Sequence, residues 1–170
     1  KLVVDVSHII GWKGNLTGIE RVEYHLIEHY FYKTDAEFIC WDKLTSAFLP
    51  VSREAVKATI IERTSETEQR GQELSRSKLS RLHRRVKRLA AKSSPAANVN
   101  GAVVIILSGL WDVAEYIAGV QQLSTDNDVV HVVFDMIPLV TPGYVMDFMP
   151  PIFENYFYKV LPVCKAVLAI

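Results

Sequence analysis

Short unbroken runs of apolar residues alternate along the chain with longer stretches in which apolar residues recur every three or four positions. The unbroken runs predict strands at 2–6, 36–41, 102–107, 129–134 and 166–170. Strands that are apolar throughout are typical of a parallel sheet covered on both faces. The pattern therefore predicts an α/β fold, a Rossmann-like parallel sheet with helices on both faces, over residues 1–170.

The helical stretches carry their own start signals. Spacing of three and four predicts helices over 19–33, 52–63, 112–123 and 152–163. Thr17 with Glu20 matches a capping box, in which each side chain bonds a free backbone amide at the helix start. Asp112 with Glu115 repeats this pattern, and Ser52 is predicted to cap the second helix.

Residues from about 66 to 100 interrupt the alternation. Acidic residues come first, and a dense basic stretch follows with a narrow apolar stripe of leucine and valine. We interpret this segment as an inserted basic amphipathic helix, which could dock on an anionic membrane or a partner, or pack on its own domain. RNA is disfavoured because aromatic residues are not interleaved. The predicted contact residues are Lys78, Arg81, Arg84, Arg85 and Arg88.

Composition excludes several classes of protein. The chain has 170 residues, is 49% hydrophobic and carries 19 basic and 19 acidic side chains, which excludes a disordered chain and a uniformly basic nucleic-acid binder. Cys40 and Cys164 lie in apolar runs and are interpreted as buried free thiols of a cytoplasmic protein. No apolar run is long enough to span a membrane. Because both ends fall inside predicted strands, we interpret the chain as part of a longer one.

Three loops follow predicted strands, and ligands of open α/β sheets bind at such carboxyl ends. The first, from Ser7 to Gly18, is rich in glycine and leads into a helix amino terminus. It has two interpretations, a phosphate site and a simple tight turn. Its glycine spacing is neither the dinucleotide fingerprint nor a phosphate-binding P-loop. The second loop runs from Ser108 to Asp112. The third contains Asp135, which could cap the next turn or contact a sugar hydroxyl or reacting proton.

Four segments in this order resemble the amino-terminal half of family-four glycosyltransferases. They are Asp5-Val6-Ser7, Thr17-Gly18-Ile19-Glu20-Arg21-Val22, Leu107-Ser108-Gly109-Leu110-Trp111 and Asp135-Met136-Ile137-Pro138-Leu139. The second segment is the most specific, and the match excludes the insertion. These enzymes are retaining, have the GT-B fold, and in the most similar bacterial subgroup transfer mannose or rhamnose to surface polysaccharides.

The resemblance implies an acceptor-side half whose partner half, absent here, binds the nucleotide sugar. It makes Asp135 the candidate catalytic residue and expects no metal or other cofactor. Phe134 stands where many relatives have histidine. The expected substrate-binding residues are Ser7, Gly14, Thr17, Gly18, Arg21, Ser108, Gly109, Trp111 and Phe134. The partners expected are a nucleotide sugar, a glycan or lipid-linked acceptor and an anionic membrane surface on the cytoplasmic side, with no nucleic acid.

Other constellations have simpler interpretations. His25 and His29 are one helical turn apart beside Glu28, but no third ligand is placed near them, which favours a helix surface over a metal site. His131 lies within a predicted buried strand and is interpreted as a hydrogen-bonded core residue. Arg21 could bind a phosphate or carboxylate or be simply solvated. The sequence thus predicts a glycosyltransferase half that is inactive alone, with a non-enzymatic docking module as the alternative.

Overall fold

The computed structural model describes residues 1–12, 16, 18–68, 99–107 and 110–170, and within 61–68 only the backbone. The strands are β1 (Leu2–Asp5), β2 (Glu37–Asp42), β3 (Ala47–Val51), β4 (Val103–Ile106), β5 (Asp128–Val133) and β6 (Ala166–Ala169). The helices are α1 (Ser7–Gly11), α2 (Gly18–Lys33), α3 (Arg53–Glu68), α4 (Ala114–Leu123), α5 (Ile137–Val140) and α6 (Met149–Val160). Short 3₁₀ turns occupy Pro142–Tyr144 and Leu161–Val163.

The six strands form one sheet in the order β3-β2-β1-β4-β5-β6. All neighbouring pairs are parallel except β2 and β3, which form an antiparallel hairpin with Cys40 opposite Leu49. The mostly parallel α/β sheet confirms the predicted class and fits a Rossmann-like fold, whose strand order also reverses beside the first strand. The reversal lies between β1 and β4, and the carboxyl ends of strands at such a point are where open α/β sheets bind ligands.

The hairpin strand β3 corrects the prediction of a purely parallel sheet. This strand contains Pro50, which is tolerated because one side of an edge strand needs no ladder hydrogen bonds. Asp42 organises the turn, since its Oδ2 accepts from the Thr45 amide at 3.1 Å and the Thr45 hydroxyl at 2.9 Å. Ser46 has a positive φ of 48° at the turn.

Alternate residues of each central strand point to opposite faces, and each face has its own core. One cluster joins Val3 and Ile106 to apolar residues of α4 and α6. The other joins Val4 and Ile105 to residues of α2 and α3. This arrangement confirms helices on both faces of the sheet.

The helix boundaries show which start signals were correct. The Ser52 hydroxyl accepts from the Ala55 amide at 3.2 Å, as an N-cap should. The cap predicted for Asp112 is wrong, because α4 begins two residues later and its N-cap, Val113, makes no side-chain hydrogen bond. Thr17 lies outside the described residues, although α2 begins immediately after it. None of the helices in the described residues combines the length and apolar character that a membrane span needs.

Candidate functional site

Three predicted loops meet at the carboxyl edge of the sheet. A cavity of about 20 Å³ there is lined by Ile19 from the first turn of α2, Trp111 from the loop after β4, and Phe134 and Asp135 from the end of β5. The start of α2 and the acidic end of β5 thus lie around one cavity. We call the segments 18–19, 111 and 134–135 the rim. The catalytic role predicted for Asp135 and the substrate-binding roles predicted for Gly18, Trp111 and Phe134 stay predictions.

Gly18 gives the rim its turn into α2. It has a positive φ of 43°, a left-handed conformation that strains any residue with a Cβ, and none of the described residues lies within 4 Å of where that Cβ would be. The glycine is therefore required by backbone conformation. Arg21, in the first turn of the same helix, is exposed.

Only one of the two carboxylate oxygens of Asp135 has a structural role at the rim. Its Oδ1 accepts from the Ile137 amide at 2.7 Å and so fixes the turn into α5, as the capping alternative predicted. Its Oδ2 makes no hydrogen bond to the described residues. The side chain is half-buried, which leaves this oxygen as the acceptor that Asp135 can offer to a ligand.

The aromatic residues of the rim, Trp111 and Phe134, pack against the core of the domain. The Trp111 indole packs on the Phe153 ring of α6 with 4.2 Å between ring centroids. Phe134 is half-buried and packs on the core shared with α2 and α3. Both rings are therefore held by packing, and they present apolar surface of the kind that sugar rings and bases contact.

Ser7 was predicted to contact substrate, but the structure places its hydroxyl in the interior. The hydroxyl donates to Asp5 Oδ1 and accepts from the Trp41 amide at 2.7 Å, which ties α1 to β2. The Ser7 amide also donates to Asp5 Oδ1, at 2.9 Å. Because these bonds occupy the hydroxyl and the residue is buried, we leave Ser7 out of the proposed site.

Asp5 is the centre of this buried network. Its Oδ2 accepts from the Tyr116 hydroxyl of α4 at 2.6 Å, and its side chain is buried. Burial raises the pKa of Asp5 to about 6, although the hydrogen bonds from Ser7 and Tyr116 oppose the rise. Burial also raises the pKa of the Tyr116 hydroxyl well above its ordinary value. The network joins β1, β2 and α4 at the switch point.

A second charged pair, which the sequence reasoning missed, lies at the same end of β1. His8 Nδ1 of α1 is 2.6 Å from Glu23 Oε2 of α2, and Glu23 is only 1% exposed. Burial acts to lower the pKa of His8, but the hydrogen bond and charge of Glu23 outweigh it, so the pKa is raised. The pKa of Glu23 is also raised, chiefly by burial. The two residues are fifteen positions apart, and no spacing rule connects them.

His131 forms part of the cavity wall rather than only the core. Its Nε2 lies 2.7 Å from the Tyr156 hydroxyl, as predicted for a hydrogen-bonded core histidine. Its Nδ1 is buried without a hydrogen-bond partner in the described part of the chain, which corrects that prediction in part. Burial lowers the pKa of His131 to about 4, against a smaller effect of the Val132 backbone. The ring is therefore neutral near pH 7.

Several predicted site residues lie outside the described residues. Among those predicted to bind substrate these are Gly14, Thr17, Ser108 and Gly109, and all of the predicted membrane or partner contacts belong with them: Lys78, Arg81, Arg84, Arg85 and Arg88. In the part of the chain that is described, no group of three acidic, histidine or cysteine residues could hold a metal ion. His25 Nδ1 lies 3.3 Å from Glu28 on the exposed surface of α2.

An apolar groove lies next to the rim. It has a volume of about 460 Å³ and is lined by Met136, which follows Asp135, together with Leu139 of α5 and side chains of α6 and the turn after it. This groove is large enough for a small apolar group, whereas the rim cavity has room for a single water molecule. A ligand larger than a water molecule would therefore have to lie across the rim rather than inside its cavity.

Comparisons of the chain with protein-family models, with curated proteins and with solved structures give no match.

Proposed function

We propose that the chain is the acceptor-side half of a retaining GT-B glycosyltransferase of bacterial surface-polysaccharide synthesis. The enzyme moves a sugar of mannose or rhamnose type from a nucleotide sugar to a glycan or a lipid-linked acceptor. The observation that carries the proposal is the shared cavity. Ile19 and Asp135 belong to two of the segments that resemble the family, are far apart in sequence, and line one cavity at the sheet's carboxyl edge.

The position and shape of the rim support a half-site. The carboxyl edge of an open α/β sheet is where ligands bind, and the cavity itself is too small for a sugar. A donor-binding second half would close over the rim, and water would then be excluded from the reacting centre. The acceptor-side half would remain inactive alone, because the groups that stabilise the departing diphosphate would belong to its partner.

Each rim residue then has a definite task in the transfer. The C1–oxygen bond to the diphosphate breaks while the acceptor oxygen bonds C1 on the same face, and the proton of the acceptor hydroxyl passes to the departing diphosphate oxygen. This chain orients the reactants. The amino terminus of α2, the positive end of the helix dipole, faces the negative charge of the donor. Asp135 Oδ2 accepts a hydrogen bond from a sugar hydroxyl. Trp111 and Phe134 contact the apolar surface of the sugar. The groove beside Met136 favours an acceptor with an apolar part, met at the inner face of the membrane.

Sugar transfer by a polypeptide that joins this chain to a donor-binding half tests the proposal. Asp135→Asn keeps the oxygen that accepts from the Ile137 amide but removes the charge. We expect transfer from the best donor of a nucleotide-sugar panel to fall about tenfold or more, with an unchanged melting temperature. Asp128→Asn, an exposed change at the opposite edge of the sheet, is the control. Full activity of Asp135→Asn, or no transfer with any donor, contradicts the proposal.

A further inference from the structure

We propose that His8 and Glu23 form a hydroxyl-binding dyad, a subsite at the carboxyl end of β1 for a neutral polyhydroxylated ligand, namely the sugar chain of the acceptor. The inference deepens the proposed function and rests on it. His8 lies in α1 and Glu23 in α2, on the same edge of the sheet as the rim. His8 is not part of the four segments that resemble the family.

The geometry fixes which nitrogen of His8 is available. Glu23 Oε2 lies 2.6 Å from Nδ1, and a carboxylate only accepts hydrogen bonds, so Nδ1 carries the proton. In the neutral ring Nε2 is then an unprotonated acceptor. Nε2 makes no hydrogen bond to the described residues, and the side chain is 19% exposed. A buried carboxylate thus orients an imidazole whose other nitrogen is free to accept a proton or a hydroxyl hydrogen bond.

The surrounding charge favours a neutral ligand over a phosphate. The charged groups of the described residues that act on His8 are all acidic: Glu23 and Glu20 from α2, and Asp5 from β1. Tyr116 of α4 donates a hydrogen bond to Asp5 and is a neutral group, since burial raises its pKa well above the ordinary value. An anion placed at Nε2 would be repelled by these carboxylates, whereas a sugar hydroxyl would donate to Nε2 without such repulsion.

The spacing of the strands sets the length of the ligand. One strand, β4, separates β1 from β5, and neighbouring strands lie about 4.8 Å apart, so the two carboxyl ends are about 10 Å apart. His8 follows β1 and Asp135 follows β5. A chain of two or more sugar rings can extend across such a distance, so the dyad fits an oligosaccharide better than a single sugar.

Nitrogen NMR of the His8 ring in the 170-residue chain tests the dyad directly. The probes are neutral oligosaccharides ending in mannose, rhamnose, glucose or galactose, and inorganic pyrophosphate as the anion. In alkaline solution, above the raised pKa of His8, we expect the neutral ring to be protonated at Nδ1, and at least one oligosaccharide to shift Nε2 while pyrophosphate does not. The Trp111 indole and Asp135 amide report on the rim in the same titration.

Variants separate ligand contact from a purely structural role. His8→Gln should weaken oligosaccharide binding about fivefold, the loss expected for one hydrogen bond. His25→Gln, which changes the exposed histidine beside Glu28, is the matched control and should not weaken it. Glu23→Gln retains an oxygen that accepts from Nδ1, so in alkaline solution, where His8 is neutral in both proteins, it should keep the tautomer and the affinity while lowering the pKa of His8.

Failure of the dyad and failure of the proposed function give different results. Shifts at Trp111 and Asp135 without a shift at His8, or a shift of His8 by pyrophosphate, would overturn the dyad and leave the sugar-binding rim standing. A folded His8→Gln variant with unchanged affinity would also overturn it. If no oligosaccharide shifts either set of residues, the dyad and the binding of acceptor by this chain are both contradicted.

Discussion

Replacing Asp5 by asparagine should remove a pH dependence of stability that the buried network creates. In the folded chain the carboxylate accepts from the Ser7 amide and hydroxyl and from the Tyr116 hydroxyl. Asparagine preserves one acceptor oxygen for Ser7 and presents an amide to the Tyr116 oxygen, so the network can persist without a charge. The variant isolates the cost of ionising this buried group.

The raised pKa of Asp5 determines both the sign and the size of its effect on stability. Burial raises the pKa of Asp5 from 3.8 to about 6, so the fold favours the protonated form. Its contribution to stability is fully present below pH 3.8 and is lost as the pH rises to about 6, by about 3 kcal/mol in total. His8 and Glu23, whose pKa values are also raised, lose stability in the same direction in both proteins and largely cancel in the comparison.

Urea denaturation at several pH values between 4 and 7, followed by tryptophan fluorescence, measures the difference. Relative to wild type, Asp5→Asn should gain about 2 kcal/mol in free energy of unfolding from pH 4 to pH 7, the part of the total that falls in this range. Asp128→Asn, which removes an exposed carboxylate, should show a constant difference. If the Asp5→Asn difference is also constant, or moves the other way, the burial argument is refuted.

Three further substitutions test a tight contact, a left-handed backbone position and a helix cap, each by urea denaturation. Gly119→Ala should destabilise the chain by about 1–3 kcal/mol, since its Cβ would overlap the Trp41 indole, whereas Gly143→Ala, with open space around it, should not. Gly18→Ala should cost about 1 kcal/mol because of its left-handed backbone. Ser52→Ala should cost about 1 kcal/mol by removing the cap of α3. Equal stability of the two alanine variants at 119 and 143 would contradict the tight contact between α4 and β2.

The regular part of the fold could be predicted because its signals are local. Apolar runs located the five strands of the parallel set, and Ser52 located the start of α3. The edge strand β3 was missed because Pro50 and the preceding turn residues indicate a loop, and only pairing with β2 makes this stretch a strand. Asp112 matched a capping pattern that the packing of α4 overrode.

The site was predictable only as far as topology dictates it. Parallel strands bring the residues after β4 and β5 to one edge, so Trp111 and Asp135 could be placed near each other from their positions alone. The direction of side chains could not be predicted in this way. Ser7 turned inward to Asp5 and Trp41, and the contact of His8 with Glu23 depends on how α1 packs on α2.

The central claim is that the rim is half of a sugar-binding crevice, and a map of backbone amide shifts tests it most directly. The 170-residue chain is titrated with the neutral oligosaccharide panel, and each shifted amide is placed on the structure. Shifts concentrated at Gly18–Ile19, Trp111 and Phe134–Asp135 are the predicted result. Shifts concentrated at the opposite edge of the sheet, near Gly101 and Asp128, or no shift with any oligosaccharide, would contradict it.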